Sequence, residues 1–236
     1  MIRNAAIDGG KAFGWGRVSS EYAQYRDIYP PEFYQKILDL GLCKDGQRIL
    51  DIGMGTGALP RNLYRYGGKW VGTDISAEQI AWASRLSVGL PVLLVFRPQS
   101  RYVQAVPYVK ARGKAAGSLY GVAPARRPIA GKSEALVLKY SPSWSGAGET
   151  VHPIRIPDCY DSGLERVRHE EYLLNVHFSR ELWNGRMKAC RGVGASLTDD
   201  ELRAWESEHL QMLSETAPDE LDIRHYAALA ELQVRK

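Results

Sequence analysis

The chain has 236 residues, 44% of them apolar, with six tryptophans and a formal net charge of +4. That is enough to bury a full core, and no apolar run approaches bilayer-spanning length, since the longest patch, Val92 to Phe96, is strand-sized. Cys43, Cys159 and Cys190 are odd in number and lack paired His/Cys spacing, so neither a disulfide framework nor a metal site is indicated, and Met1-Ile2-Arg3-Asn4 lacks the apolar stretch of a secretory signal, which makes the cytoplasm the expected location.

In chain order, Pro31 and Gly41 bracket a first helix with Phe33, Ile37 and Leu38 inward. Ile49 and Leu50 then feed Asp51, and Gly53, Gly55 and Gly57 alternate before Ala58, Leu59 and Leu63 begin a helical apolar period. The pattern is strand, tight turn and helix. Glycine accepts positive φ and lets a ligand approach the backbone, while the opening helix offers unpaired N–H groups. Lys69 to Asp74 forms the next apolar run, and Asp74 stands where a second-strand acid bonds both ribose hydroxyls of a nucleotide cofactor.

Asp51 discriminates between two cofactors. Gly53, Gly55 and Ala58 formally satisfy the dinucleotide fingerprint, but a carboxylate two residues before the first glycine repels a pyrophosphate. The cationic amino-acid end of S-adenosylmethionine is attracted to it. An NAD(P)-dependent oxidoreductase is the rival reading.

Asp51-Ile52-Gly53-Met54-Gly55-Thr56-Gly57 and Gly72-Thr73-Asp74-Ile75-Ser76 resemble the first two motifs of the class I S-adenosylmethionine-dependent methyltransferases, particularly the type 11, ubiquinone/menaquinone-biosynthesis-like group. The resemblance implies a Rossmann-like α/β fold, a doubly wound and mostly parallel sheet with helices on both faces and an antiparallel last strand. It implies that Asp51 and the glycines hold the methionine moiety, Asp74 the ribose, and Ile75 one face of the adenine. Tyr22 to Pro31 resembles the family's leader, a lid over the cofactor. There Arg26 is a candidate partner for the cofactor carboxylate, and Tyr22, with Tyr25, a candidate cover for the adenosyl group. Each has a plainer alternative, a solvated arginine and a helix packing stripe.

The positive charge is unevenly placed. Between Glu78 and Glu134 there is no acidic residue, while nine lysines and arginines from Arg85 to Lys132 fall in that interval. Interleaving with Tyr102, Tyr108 and Tyr120 suggests a nucleic-acid surface, but charge runs are usually solvated, and nucleic acid is not the expected partner. The family comparison gives a sharper explanation. After Asp74 a standard core needs three crossovers, at about 30 residues per βαβ unit, yet only about 54 residues separate Asp74 from Pro128. The acidic second motif and a fourth strand have no visible counterpart, and Lys114-Ala115-Ala116-Gly117 stands where a Lys-Pro-Gly-Gly turn would open strand five. We therefore expect central strands that are incomplete, through a shifted frame or a deletion spanning roughly Val88 to Pro128. The organisation expected is one methyltransferase domain over 1–236: a lid and helix over 1–47, cofactor motifs over 48–87, an anomalous basic segment over 88–128, and substrate-side helices and last strands over 129–236.

Beyond the interval, Ser179 can cap a helix through Leu182, Trp183, Met187 and Cys190 that Gly192 ends. Thr198-Asp199-Asp200-Glu201 is a capping box for a helix through Leu202, Trp205, Leu210 and Leu213, with Pro218 beyond its end. Tyr172 to Phe178 and Ile223 to Val234 resemble the family's last two strands. His152, His169, His177 and His225 are candidate bases, none of which the pattern singles out. Without an Asn/Asp-Pro-Pro-Tyr sequence, a small organic methyl acceptor is the expected substrate class. A non-catalytic product of a disrupted frame is the remaining alternative.

Overall fold

The computed structural model describes residues 1–96, 108–111, 114–121, 128–148 and 164–234. In chain order its elements are α1 (Ser19–Tyr25), α2 (Pro31–Asp39), β1 (Arg48–Ile52), α3 (Ala58–Leu63), β2 (Lys69–Asp74), α4 (Ala77–Leu86), β3 (Val92–Phe96), β4 (Tyr108–Ala111), β5 (Lys114–Gly121), α5 (Pro128–Tyr140), β6 (Leu164–Ser179), α6 (Arg180–Lys188), α7 (Asp199–Thr216) and β7 (Glu220–Val234). The chain forms two compact units. One comprises Met1–Ile28, Gly121–Val151 and Leu174–His225, and the other Tyr29–Tyr120, His152–Leu173 and Tyr226–Lys236.

The second unit is built on strands. β1, β2 and β3 pair in parallel in the order β1-β2-β3, with Asp51 opposite Gly72 and Ile52 opposite Thr73. A second sheet runs β4-β5-β7-β6, and β4 lies alongside β1. Pro31 opens α2 at its first turn, and Phe33, Tyr34, Ile37 and Leu38 are its buried face.

β4 and β5 depart from the expected parallel order. They pair antiparallel, Tyr108 opposite Gly117 and Ala111 opposite Lys114. Only residues 112 and 113 intervene, and a parallel connection needs a dozen residues or more, so this spacing permits only a hairpin. A strand does follow β3, but it is a four-residue hairpin arm with no acid at its start, so the Asp-led fourth strand of the family has no counterpart among the described residues. At four residues with a lysine inside it, β4 is too short for apolar periodicity to reveal.

The first unit is helical, with α1 against α6, α5 against α7 and α6 against α7. Trp183, Trp205, Phe178, Val137, Leu197 and Leu213 fill its core. Ser179 accepts the Leu182 N–H, and Thr198 and Glu201 form the reciprocal capping box. α6 ends at Lys188, earlier than its apolar period suggests. There the Gly194 N–H donates to the Lys188 carbonyl at 3.0 Å, an approach a side chain would obstruct, since a Cβ on Gly194 would lie 2.7 Å from that oxygen. Among the described residues no helix is long and apolar enough to cross a membrane.

Candidate functional site

The turn after β1 is shaped by its glycines. Gly53, Gly55 and Gly57 have φ of 72°, 58° and 86°, left-handed values that most side chains resist. The Gly53 and Met54 N–H groups both donate to the Thr73 carbonyl, at 2.8 and 3.0 Å, which ties the turn to the end of β2. Gly57 serves as the N-cap of α3. Beneath the turn, Gly72 makes room for Met54, because a Cβ on Gly72 would stand 1.9 Å from the Met54 Sδ.

Two carboxylates frame this turn. Asp74 ends β2, and its Oδ2 accepts the Gly55 N–H at 2.9 Å while its Oδ1 accepts the Ser76 N–H at 2.8 Å. Burial raises its pKa, and the backbone N–H groups of Ser76, Gly55 and Ile75 oppose that rise. A carboxylate has about four lone-pair sites, so both oxygens retain capacity for further donors such as ribose hydroxyls. Ile75, half-buried, follows directly.

Asp51 is different. It is 1% exposed, and among the described residues neither carboxylate oxygen has a hydrogen-bond partner. Burial first, and then the negative field of Asp74, push its pKa up to about 7. A buried, unpartnered carboxylate is costly, and it is relieved by a cation that also donates hydrogen bonds. The Cys43 thiol, pushed up to about 12 by burial and by Asp51, supplies no positive charge.

The structure thus brings together Asp51, Gly53, Gly55, Gly57, Asp74 and Ile75. Tyr22 and Arg26 belong to the helical unit. There the Arg26 Nη2 donates to the Tyr22 hydroxyl at 3.2 Å and its guanidinium lies 4.8 Å from the Tyr22 ring centre. The candidate histidines separate by environment. His225 is buried and held neutral by burial, with its pKa lowered to about 3, whereas His177 is exposed beside Glu220 and Asp222, which raise its pKa. His169 is paired with Glu171. His152 and Cys159 lie outside the described residues, as do the side chains of the basic interval from Arg97 to Arg127 and its tyrosines, while Arg85, over the Trp82 ring, and Lys132 are exposed.

One residue escaped the sequence reading. Arg186 sits on the buried face of α6 with Trp183 and Met187, 5% exposed. The signal was available: a position three after Trp183 and one before Met187 lies on the apolar stripe of that helix, where arginine is out of place.

Residues 50–109 match the family described as a methyltransferase domain. No curated protein matches the sequence. Among solved structures, a putative methyltransferase from an antibiotic biosynthesis pathway of Anabaena variabilis is 13% identical, covers 87% of this chain and 98% of its own, and superposes with a TM-score of 0.50. YjhP from E. coli is 18% identical, with 93% and 100% covered and a TM-score of 0.47. A SAM-dependent methyltransferase from Thiobacillus denitrificans, in complex with S-adenosyl-L-homocysteine, is 16% identical, with 94% and 98% covered and a TM-score of 0.46. The likeness to the Anabaena protein is one of fold, and that fold is the Rossmann-like α/β arrangement the motifs imply.

Proposed function

We propose that the chain, whose residues 50–109 match the methyltransferase-domain family, transfers the methyl group of S-adenosylmethionine to a small organic acceptor. The observation that carries this reading is Asp51. A buried carboxylate with no partner at a left-handed glycine turn fits the ammonium of the cofactor's amino-acid end, and it opposes a dinucleotide pyrophosphate in the same cradle.

The residues divide the work. Asp51 neutralises the ammonium, Gly53, Gly55 and Gly57 let the ligand meet the backbone, and Asp74 accepts from the ribose while it clamps the turn through Gly55. Ile75 offers an apolar edge to the adenine. Bound cofactor supplies a methyl group on a sulfonium, which leaves as a neutral thioether without protonation. The protein's task is then alignment and exclusion of water, which suits a site where no histidine stands out as a base.

Calorimetric titration with S-adenosylhomocysteine tests the reading against its rival. Binding of S-adenosylhomocysteine without binding of NADH supports it, and the reverse pattern replaces it with a dinucleotide enzyme. A second reading is favoured by the β4–β5 hairpin: cofactor binding with feeble turnover, because the connection between these strands is cut to two residues in the interval 88–128. Translating the coding region in its other two frames tests that reading. It stands if either frame restores an acidic second motif and a Pro-Gly-Gly turn, and falls if neither does.

A further inference from the structure

Arg186 is 5% exposed on α6, and its Nε has no hydrogen-bond partner among the described residues. Its Nη1 donates to the Cys190 Sγ at 3.4 Å, one turn further along, and a thiol sulfur is a weak acceptor for a guanidinium. The carboxylates paired with this helix are engaged elsewhere. Glu206 and Glu21 meet Lys188 at 2.9 and 3.9 Å, and Glu206 also accepts from Asn184. Burial lowers the Arg186 pKa, and the groups that act on it besides Cys190 are Arg26 and Tyr22, from α1 and its end. His225, on β7, is neutral. A buried guanidinium whose hydrogen-bonded acceptor is a thiol remains unfavourable until an anion stands in that place. Cys190 is half-buried, within reach of a small reagent, whereas Cys43 is fully buried.

We propose that Cys190 is an oxidation site, at which a hydroperoxide converts the thiol to a sulfinate that becomes the counter-ion of Arg186. With hydrogen peroxide, the sulfur attacks one peroxide oxygen, an S–O bond forms as the O–O bond breaks, and the leaving hydroxide takes the thiol proton and departs as water. The product is a sulfenic acid. A second peroxide adds a second oxygen in the same way, water leaves again, and the sulfinic acid gives its proton to solvent. Sulfur loses two electrons in each step and the peroxide gains them. The sulfinate spreads one negative charge over two oxygens, which the planar fork of a guanidinium meets with parallel hydrogen bonds. It forms just beyond the end of α6, where the helix dipole opposes an anion with about half an elementary charge, and the full charge of Arg186 at hydrogen-bond distance outweighs that.

The test uses the full chain and begins with a mimic. Cys190→Asp places a carboxylate where the sulfinate forms and should raise the melting midpoint by about 3 °C, whereas Cys190→Asn, of the same shape without the charge, should gain nothing. In Arg186→Met, which keeps the apolar stem, Cys190→Asp should lower the midpoint instead. Equal midpoints for Cys190→Asp and Cys190→Asn, or a Cys190→Asp effect indifferent to Arg186→Met, overturn the pairing. Wild-type protein is then treated with hydrogen peroxide and mapped by mass spectrometry, with its melting shift read against Cys190→Ser treated alike so that oxidation at methionines cancels. Cys190 should gain two oxygens and Cys43 none, and the oxidised wild type should melt higher by about the same 3 °C. A Cys190 that stays a thiol under excess peroxide, or oxidised protein that melts no higher, overturns the oxidation site. Cofactor binding enters neither measurement, so this inference and the methyltransferase reading fail separately.

Discussion

Two buried polar clusters in this molecule obey opposite rules. In the helical unit, Ser133 accepts the Trp183 indole N–H at 3.0 Å and lies 2.9 Å from the His209 Nε2, and the His209 Nδ1 lies 2.7 Å from the Asn184 Oδ1. The roles are consistent throughout: the serine O–H donates to Nε2, and the Nδ1–H donates to Asn184. Burial lowers the His209 pKa to about 4, so the ring stays neutral, and Trp205 stacks on it at 4.6 Å. In the strand-built unit, Asp51 is as deeply buried, and its carboxylate has no hydrogen-bond partner among the described residues. A cluster that satisfies itself holds a fold together, whereas one that leaves a charge unmet is shaped for something that arrives later.

The sharpest way to break this contrast is at the turn itself. Gly55→Val places a β-branched side chain at a φ of 58°, where it is both strained and in the way of a ligand. Affinity for S-adenosylhomocysteine should fall by more than about a hundredfold, with helical circular dichroism largely kept. Asp74→Ala removes the ribose acceptor and the clamp on the Gly55 N–H together, and should weaken binding about ten- to a hundredfold by calorimetry.

The helical cluster should respond through stability and leave cofactor affinity alone. Ser133→Ala strands the Trp183 N–H and the His209 Nε2 in the core, at a cost of about 1–3 kcal/mol in denaturant unfolding. Thr198→Ala removes one half of the capping box, worth about 1 kcal/mol in the same measurement.

Legibility in the sequence followed the range of the interactions. The capping box and the Ser179 cap were readable because their partners lie three residues away. The glycine turn was readable because its glycines and the two acids fall in fixed order within two dozen residues. The β4–β5 hairpin was not, since β4 has only four residues and the interval lacks the turn chemistry and apolar alternation that announce strands. Neither the isolation of Asp51 nor that of Arg186 was visible, because the lack of a partner is a property of everything that folds around a residue. The Ser133–His209 contact, 76 residues apart, escaped for the same reason.

The unmet charge on Asp51 has a signature in protons. Its folded pKa, about 7, lies above the ordinary carboxylate value, so the ligand-free protein binds an extra proton between roughly pH 4 and 7 and loses stability as pH rises through that window. A cofactor ammonium requires the ionised form. Calorimetric titration with S-adenosylhomocysteine at pH 6, in buffers of differing ionisation enthalpy, should therefore register release of close to one proton per site in wild type and none in Asp51→Asn. Wild-type affinity should improve about tenfold per pH unit up to pH 7 and then level off. Binding that releases no proton, with an affinity indifferent to pH and to Asp51→Asn, would contradict the assignment of Asp51 to the cofactor's ammonium.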